Sequence, residues 1–285
     1  MAGSGARGRP REPETALITT PDGTHLEYLI TGTGYPVTVF AHGLGNGIAQ
    51  TRPLGSAVAG RRVFLHFRGH GRSSAPAGAW TYQDLAGDLH AVADSTNATR
   101  ALGVSLGAGA LCRVLADDPD RFEKVVLFLP AVLDVPRGAV ARQRLAEMLV
   151  AIRSGDPAEV AHVVARDVPV MQRDTASGRS FVRARKEQLL REGLADSLAS
   201  LPEQVAVEDR MSLRHVNAEV LVIASRGDDL HRVDVAEQVA AVLPRATLHV
   251  YDEPDVVWTN RADLRDRIAG FFNAPATDGL TSAPV

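Results

Sequence analysis

Cysteine is almost absent from this 285-residue sequence, and the single Cys112 excludes an internal disulfide and any cysteine-rich metal site. No apolar run approaches the roughly 18 to 20 residues that a helix needs to span a bilayer. The first residues, MAGSGARGRPREPE, lack the apolar segment of a secretory signal. A net charge of −3 gives no general attraction to nucleic acid or anionic membrane. We therefore expect a cytoplasmic protein whose partner is a small-molecule substrate, not nucleic acid or membrane.

Short apolar runs alternate with helical patterns along most of the chain. Strands are predicted over residues 16–20, 25–31, 36–40, 61–67, 98–104, 124–129, 219–224 and 246–251. Helical patterns cover 81–95, 106–117, 234–243 and 261–272. The first two strands flank the hairpin turn Pro21-Asp22-Gly23, whereas the later ones are nearly all apolar, as in strands buried on both faces of a parallel sheet. This pattern predicts an α/β fold with a mainly parallel eight-stranded sheet, an antiparallel start and helices on both faces.

The alternation stops between residues 135 and 215, where only helical patterns occur. We interpret this segment as a helical cap inserted between two strands of a core formed by residues 15–134 and 216–273. The alternative is that these helices merely cover one face of the sheet. Residues 1–14 and 274–285 are poor in large apolar side chains, so flexible tails are expected there.

The most informative residues are Gly103-Val104-Ser105-Leu106-Gly107. They join the predicted strand ending at Val104 to the predicted helix that begins at residue 106. Glycines two positions before and after the serine permit a very sharp strand-to-helix turn, where a Cβ would clash. Such a turn exposes the serine hydroxyl at the edge of the sheet, beside the positive end of a helix dipole. The pattern predicts a nucleophile elbow at Ser105.

Two further loops that contain glycine follow predicted strands. The third predicted strand runs into Ala41-His42-Gly43-Leu44-Gly45, and the fourth is followed by Arg68-Gly69-His70-Gly71-Arg72-Ser73. With these motifs the chain resembles the α/β-hydrolase family, in its serine-hydrolase branch, from about residue 16 to 273. The resemblance implies the α/β-hydrolase fold and no cofactor. The branch with dehalogenase or epoxide-hydrolase chemistry is disfavoured because its elbow carries aspartate.

The resemblance also implies roles for individual residues. Ser105 would be the nucleophile, and the backbone amides of Leu44 and Leu106 would form an oxyanion hole. The family's acid follows the strand after the cap and commonly stands four residues before a proline. Arg232 occupies the position of that proline, which selects Asp228 and leaves Asp229 as the alternative. His42, Arg68 and His70 are expected to brace loops.

The family's catalytic histidine is missing from its usual place. It normally follows the last strand, but residues 251–260 contain no histidine, and none occurs after His249. Pro254 or Asp255 occupies the expected position. A serine hydrolase needs an imidazole that accepts the serine proton and then returns it. The candidates are His231, three residues after Asp228, and His249, which lies within a predicted strand.

Three functions therefore remain open. The first is hydrolysis of a small hydrophobic ester, lactone or thioester (or a related acyl transfer) through Ser105 with a relocated base. The second is cofactor-free cyclisation, isomerisation or decarboxylation that uses the pocket and oxyanion hole without an acyl-enzyme. The third is a catalytically inactive ligand-binding module. The elbow and Asp228 favour the first, whereas the missing late histidine favours the other two.

Overall fold

The computed structural model describes residues 15–275, and within them the strands form a single eight-stranded sheet. The sheet order is β1-β2-β4-β3-β5-β6-β7-β8. The strands are β1 (Thr15–Thr19), β2 (His25–Thr31), β3 (Val37–Ala41), β4 (Arg61–Leu65), β5 (Arg100–Val104), β6 (Lys124–Phe128), β7 (Glu219–Ser225) and β8 (Ala246–Tyr251). The prediction of an eight-stranded α/β fold is confirmed, and each strand overlaps a predicted run.

The sheet has an antiparallel start and a parallel remainder. β1 pairs with β2, and β2 with β4, in antiparallel register, whereas β4, β3, β5, β6, β7 and β8 pair in parallel. The first hairpin is closed by a hydrogen bond from the Thr20 amide to the Thr24 carbonyl at 2.9 Å. Parallel strands end at one edge of a sheet, so the loops after β3, β5, β7 and β8 lie together.

Helices lie on both faces of this sheet. They are α1 (Ile48–Thr51), α2 (Tyr82–Thr96), α3 (Leu106–Asp117), α4 (Ala139–Ser154), α5 (Pro157–Ala165), α6 (Ala176–Leu189), α7 (Leu194–Ser197), α8 (Val233–Val242), α9 (Val256–Thr259) and α10 (Arg261–Asn273). Short 3-10 helices cover Val170–Gln172, Leu201–Glu203 and Arg210–His215. Among the described helices, none is long and apolar enough to cross a membrane.

The core consists of two apolar layers divided by the sheet. Along β3, Val37 and Val39 belong to one layer and Phe40 to the other, because successive strand side chains point to opposite faces. Helices α2, α3 and α8 contribute to the first layer, and α10 contributes Phe272 to the second. Since both faces are covered, these strands carry few polar residues, which explains their apolar runs.

Local signals fix several helix boundaries. Helix α2 begins at a capping box in which Asp84 donates its amide to the Thr81 hydroxyl at 3.3 Å and its carboxylate accepts from the Thr81 amide at 2.7 Å. Helix α4 ends at Gly155, whose φ of 69° is readily adopted by glycine. The fully buried Asp88 of α2 pairs with Arg68 at 2.7 Å, so Arg68 ties its loop to the helix.

The chain between β6 and β7 forms helices and no strand, and every residue of this stretch is described. It contains α4 to α7 and the three 3-10 helices. Flexible tails are predicted for residues 1–14 and 274–285. Of these, only residues 274 and 275 belong to the described part of the chain.

Candidate active site

Ser105 lies at a tight turn between β5 and α3. Its φ of 52° is unusual for a residue other than glycine, and such strained conformations concentrate at functional sites. A Cβ on Gly103 would lie 2.3 Å from the Gly107 carbonyl oxygen, and one on Gly107 would lie 2.6 Å from the Ala41 carbonyl oxygen. The turn therefore requires glycine at both positions, as the sequence pattern indicates.

His231 connects Ser105 to Asp228. Its Nε2 is 2.8 Å from the Ser105 hydroxyl oxygen, and its Nδ1 is 2.7 Å from Oδ2 of Asp228. An ionised carboxylate only accepts hydrogen bonds, so in the neutral imidazole Nδ1 carries the proton and donates it to Asp228. Nε2 is then free to accept the hydroxyl proton of Ser105. These three side chains form a serine–histidine–aspartate array.

A compact turn after β7 places Asp228 and His231 together. The amides of Leu230 and His231 donate to Asp228 Oδ1 at 3.0 and 3.2 Å, and the His231 amide also contacts the Asp228 carbonyl at 3.3 Å. This turn brings side chains three residues apart into contact. Burial alone would raise the pKa of Asp228, but the His231 charge and these hydrogen bonds outweigh it and hold the pKa below its usual value.

The loop after β8 contains Pro254 and Asp255 and borders the same cavity as Ser105. Asp255 has a φ of 61°, and burial together with the nearby Asp228 and Asp167 carboxylates raises its pKa. Of the other candidates, His249 lies within β8 against Tyr251, with ring centroids 4.5 Å apart. Asp229 borders the same cavity but is exposed, whereas the Asp228 carboxylate contacts His231.

Leu44 and Leu106, whose amides are predicted to form the oxyanion hole, both border the cavity that contains Ser105. The amides on either side of Leu44 are occupied, because Gly43 donates to Gln50 at 2.8 Å and Gly45 donates to a histidine nitrogen at 3.2 Å. Within residues 15–275, no backbone or side-chain acceptor pairs with the amide of Leu44 or Leu106. Neither N–H group is therefore used within the described part of the chain.

Two fully buried histidines brace the loops that support these amides. His42 accepts from the Phe67 amide at 3.1 Å and donates to the Gly43 carbonyl at 2.8 Å. His70 accepts from the Gly45 amide at 3.2 Å and donates to a carbonyl two residues earlier at 2.9 Å. Each ring therefore uses one nitrogen as a donor and the other as an acceptor, which only a neutral imidazole can do.

This bracing predicts acid sensitivity. Burial lowers the pKa of His70 from 6.5 to about 4, so the unfolded chain binds the proton more readily than the folded chain as pH falls. The stability provided by neutral His70 is fully present above pH 6.5 and is lost as pH falls towards 4. The total loss in the free energy of unfolding is up to about 3 kcal/mol. Urea unfolding between about pH 7.5 and 5 should therefore show a shallower acid slope for His70→Gln. The exposed His162→Gln control should keep the full slope, and a full slope in His70→Gln would contradict the interpretation.

The cavity at Ser105, here called the main cavity, has a volume of about 350 Å³. The helical stretch between β6 and β7 supplies much of its border: Arg137, Arg144, Leu145, Arg166, Asp167, Phe181, Arg185 and Leu201. No motif in the sequence points to Arg137. Its burial depends on contacts with distant parts of the chain, so no local pattern could have indicated it. Among the described residues, no group of His, Cys, Asp and Glu is arranged to hold a metal ion.

Comparison with known proteins identifies the family to which this fold belongs. A family model described as alpha/beta hydrolase fold matches residues 36–254, and the chain belongs to that family. The family assignment from the sequence motifs is confirmed. No curated protein matches the chain.

Similar solved structures include a hydrolase from Pseudomonas aeruginosa PA01, with a TM-score of 0.75 and 24% identity over 93% of this chain and 100% of that one. The enol-lactonase from Burkholderia xenovorans LB400 has a TM-score of 0.71 and 23% identity over 91% of this chain and 100% of that one. The esterase EaEST from Exiguobacterium antarcticum has a TM-score of 0.74 and 17% identity over 92% of this chain and 100% of that one. At these identities the likeness establishes the fold.

Proposed function

We propose that the protein is a serine hydrolase of small hydrophobic carboxylic esters, lactones or thioesters. Ser105 is the nucleophile, His231 the general base and Asp228 the residue that orients the imidazole. The observation that carries this proposal is the position of His231, 2.8 Å from the Ser105 hydroxyl and 2.7 Å from the Asp228 carboxylate. These separations are within the range for direct proton transfer between a nucleophile and its base.

The reaction proceeds in two balanced halves. The Ser105 hydroxyl oxygen forms a bond to the carbonyl carbon of the substrate while His231 Nε2 accepts the hydroxyl proton. The carbonyl π electrons move to oxygen, and when they return, the bond to the leaving alcohol or thiol breaks and His231 donates the proton to that group. Water then attacks the acyl-enzyme by the same route, which releases the acid and regenerates Ser105.

The developing oxyanion would be bound by the Leu44 and Leu106 amides. Both border the main cavity beside Ser105, and the Leu106 amide opens helix α3, where the helix dipole favours negative charge. A donor of this kind contributes about 3 to 4 kcal/mol of transition-state stabilisation in a serine protease. Backbone donors need no particular side chain, so leucine at both positions is compatible with this role.

An apolar side cavity supports a hydrophobic substrate. It has a volume of about 830 Å³ and shares Phe181 and Trp258 with the main cavity. These two rings pack edge to face with centroids 5.5 Å apart, so they form a wall common to both cavities. Leu54 and Leu264 are among the apolar residues that border the side cavity. An apolar acyl or alcohol group would be removed from water there.

The two alternative functions do not need an activated serine. Cofactor-free cyclisation, isomerisation or decarboxylation would use the pocket without an acyl-enzyme, and a ligand-binding module would need no chemistry at all. The contact between His231 and Ser105 favours hydrolysis over both, because neither alternative requires an imidazole at hydrogen-bonding distance from the serine.

A fluorophosphonate probe tests this function directly. The probe forms a bond between phosphorus and the serine oxygen with loss of fluoride, and this requires an activated serine. We expect labelling of the wild type, much slower labelling of His231→Ala and none at the substituted position in Ser105→Ala, read by peptide mass spectrometry. Ser180→Ala, at the border of the side cavity, is the matched control and should label normally. An unlabelled wild type would contradict the proposal and favour one of the alternatives.

A further inference from the structure

Arg137 is a buried cation at the border of the main cavity. Its exposed fraction is 7%, and it donates from Nη1 to the Leu201 carbonyl at 2.7 Å and from Nη2 to the Tyr82 hydroxyl at 2.6 Å. Both partners are uncharged acceptors in these bonds. Among residues 15–275, no carboxylate forms an ion pair with Arg137. Two of the five N–H donors of the guanidinium are therefore used, and its charge is not neutralised by the protein.

The other arginines at this cavity are all paired. Arg144 lies 2.7 Å from the Asp167 carboxylate, and Arg185 binds the second oxygen of the same group. Arg166 pairs with Glu147, outside the cavity border. Arg137 differs from these three in having neither a carboxylate partner nor substantial exposure to water.

A buried charge without a counter-charge is costly, so an anionic ligand that pairs with it would relieve that cost. Three further carboxylates, those of Asp228, Asp229 and Asp255, border the same cavity. The Asp228 carboxylate already accepts hydrogen bonds from the His231 ring and from two backbone amides. Asp229 and Asp255 are exposed, so water screens their charges, whereas the field of buried Arg137 is screened much less. The Arg137 end of the cavity therefore favours an anion.

We propose that Arg137 binds a carboxylate group of the substrate, so that the preferred substrate is an ester, lactone or thioester bearing a second, ionised carboxyl group. This inference rests on the proposed function, because it places the scissile carbonyl at Ser105 in the same cavity. The planar guanidinium matches the two oxygens of a carboxylate, and its remaining donors are available for that contact. Arg137 is then a specificity-determining residue.

A pair of ethyl esters of similar length provides the test. Monoethyl adipate carries a free carboxylate, and ethyl heptanoate ends in an alkyl group, while both release ethanol that a coupled assay measures. We expect the wild type to prefer monoethyl adipate in kcat/KM. Arg137→Met should lower this preference about 10- to 100-fold, mainly through KM for the acidic ester, because hydrogen bonds to charged groups contribute about 1.5 to 3 kcal/mol. Arg137→Lys should be intermediate. Arg113→Met, which removes a paired arginine outside the main cavity, should match the wild type.

The preference ratio within each variant separates binding from folding, since a purely structural loss lowers turnover of both esters equally. An equal loss in Arg137→Met would overturn the inference, as would a wild type that does not prefer the acidic ester. In the second case, Ser105-dependent cleavage of ethyl heptanoate would leave the proposed function intact. If neither ester is cleaved, calorimetric titration with free adipate still decides. Adipate should bind the wild type at least about 10-fold more tightly than Arg137→Met, and equal binding would overturn the inference.

Discussion

Replacing His231 with alanine is expected to lower kcat for ester cleavage by about 10⁶-fold, as removal of the catalytic histidine does in subtilisin. The reason is that Ser105 would lose the only imidazole that the structure places at its hydroxyl within the described residues. Steady-state hydrolysis of p-nitrophenyl butyrate measures the loss. Ser105→Ala should cause a similar one, and the double variant should be no worse than either single variant, because the two residues act as a unit.

The control for this experiment is His249→Ala, which removes another histidine late in the chain that does not border the main cavity. It should retain nearly full activity. Circular dichroism checks that each variant is folded. If His231→Ala is silent while Ser105→Ala is inactive, another base serves Ser105. If both are silent with the true substrate, no acyl-enzyme forms and the hydrolase proposal fails.

The wild-type pH profile should have one rising limb, because a general base must be neutral to accept a proton. Asp228 does not contribute to this limb, because its pKa is held below the usual value and the carboxylate is already ionised. Activity therefore rises with increasing pH, and Asp228→Asn should lower activity by about 10⁴-fold.

The sequence predicts the fold and elbow well because their causes are local. Each buried strand needs an apolar run, and the turn at Ser105 needs glycine at 103 and 107 because a neighbouring carbonyl lies at less than 3 Å from each missing Cβ. Such requirements are visible in single residues and short runs. The spacing of three residues between Asp228 and His231 is also a local feature, and it fits one turn after a strand.

The choice between His231 and the other candidates could not be made from sequence, because it depends on distances across the sheet. β5 and β7 are separated by β6, so the loops that carry Ser105 and Asp228 are about two strand spacings, or 10 Å, apart. Only a side chain that extends from the β7 loop towards the elbow bridges this gap, and His231 does so. The unpaired charge of Arg137 is likewise a tertiary property, because its partners Leu201 and Tyr82 are far away in sequence.

The position after β8 should still accept a catalytic histidine, and we expect Asp255→His to restore activity to His231→Ala by about 100-fold or more. Asp255 borders the main cavity, and the effect of Asp228 on its pKa indicates that the two carboxylates interact. An imidazole at 255 would replace this repulsion with attraction and would lie near Ser105. Histidine is also among the residues enriched at positive φ, so the φ of 61° at this position is tolerable. A positioned general base contributes about 10²- to 10⁴-fold.

Hydrolysis of p-nitrophenyl butyrate by the double variant measures this recovery. Its rate should rise with increasing pH, as in the wild type, since an imidazole again acts as the base. Glu253→His in the His231→Ala background is the matched control, because Glu253 is exposed and does not border the main cavity. It places an imidazole two residues away, where it cannot reach Ser105, and should give no recovery. Equal recovery in both variants would mean that any nearby imidazole suffices. No recovery from Asp255→His would mean that Asp228 is oriented for His231 alone, in which case the two histidine positions are not interchangeable in this fold.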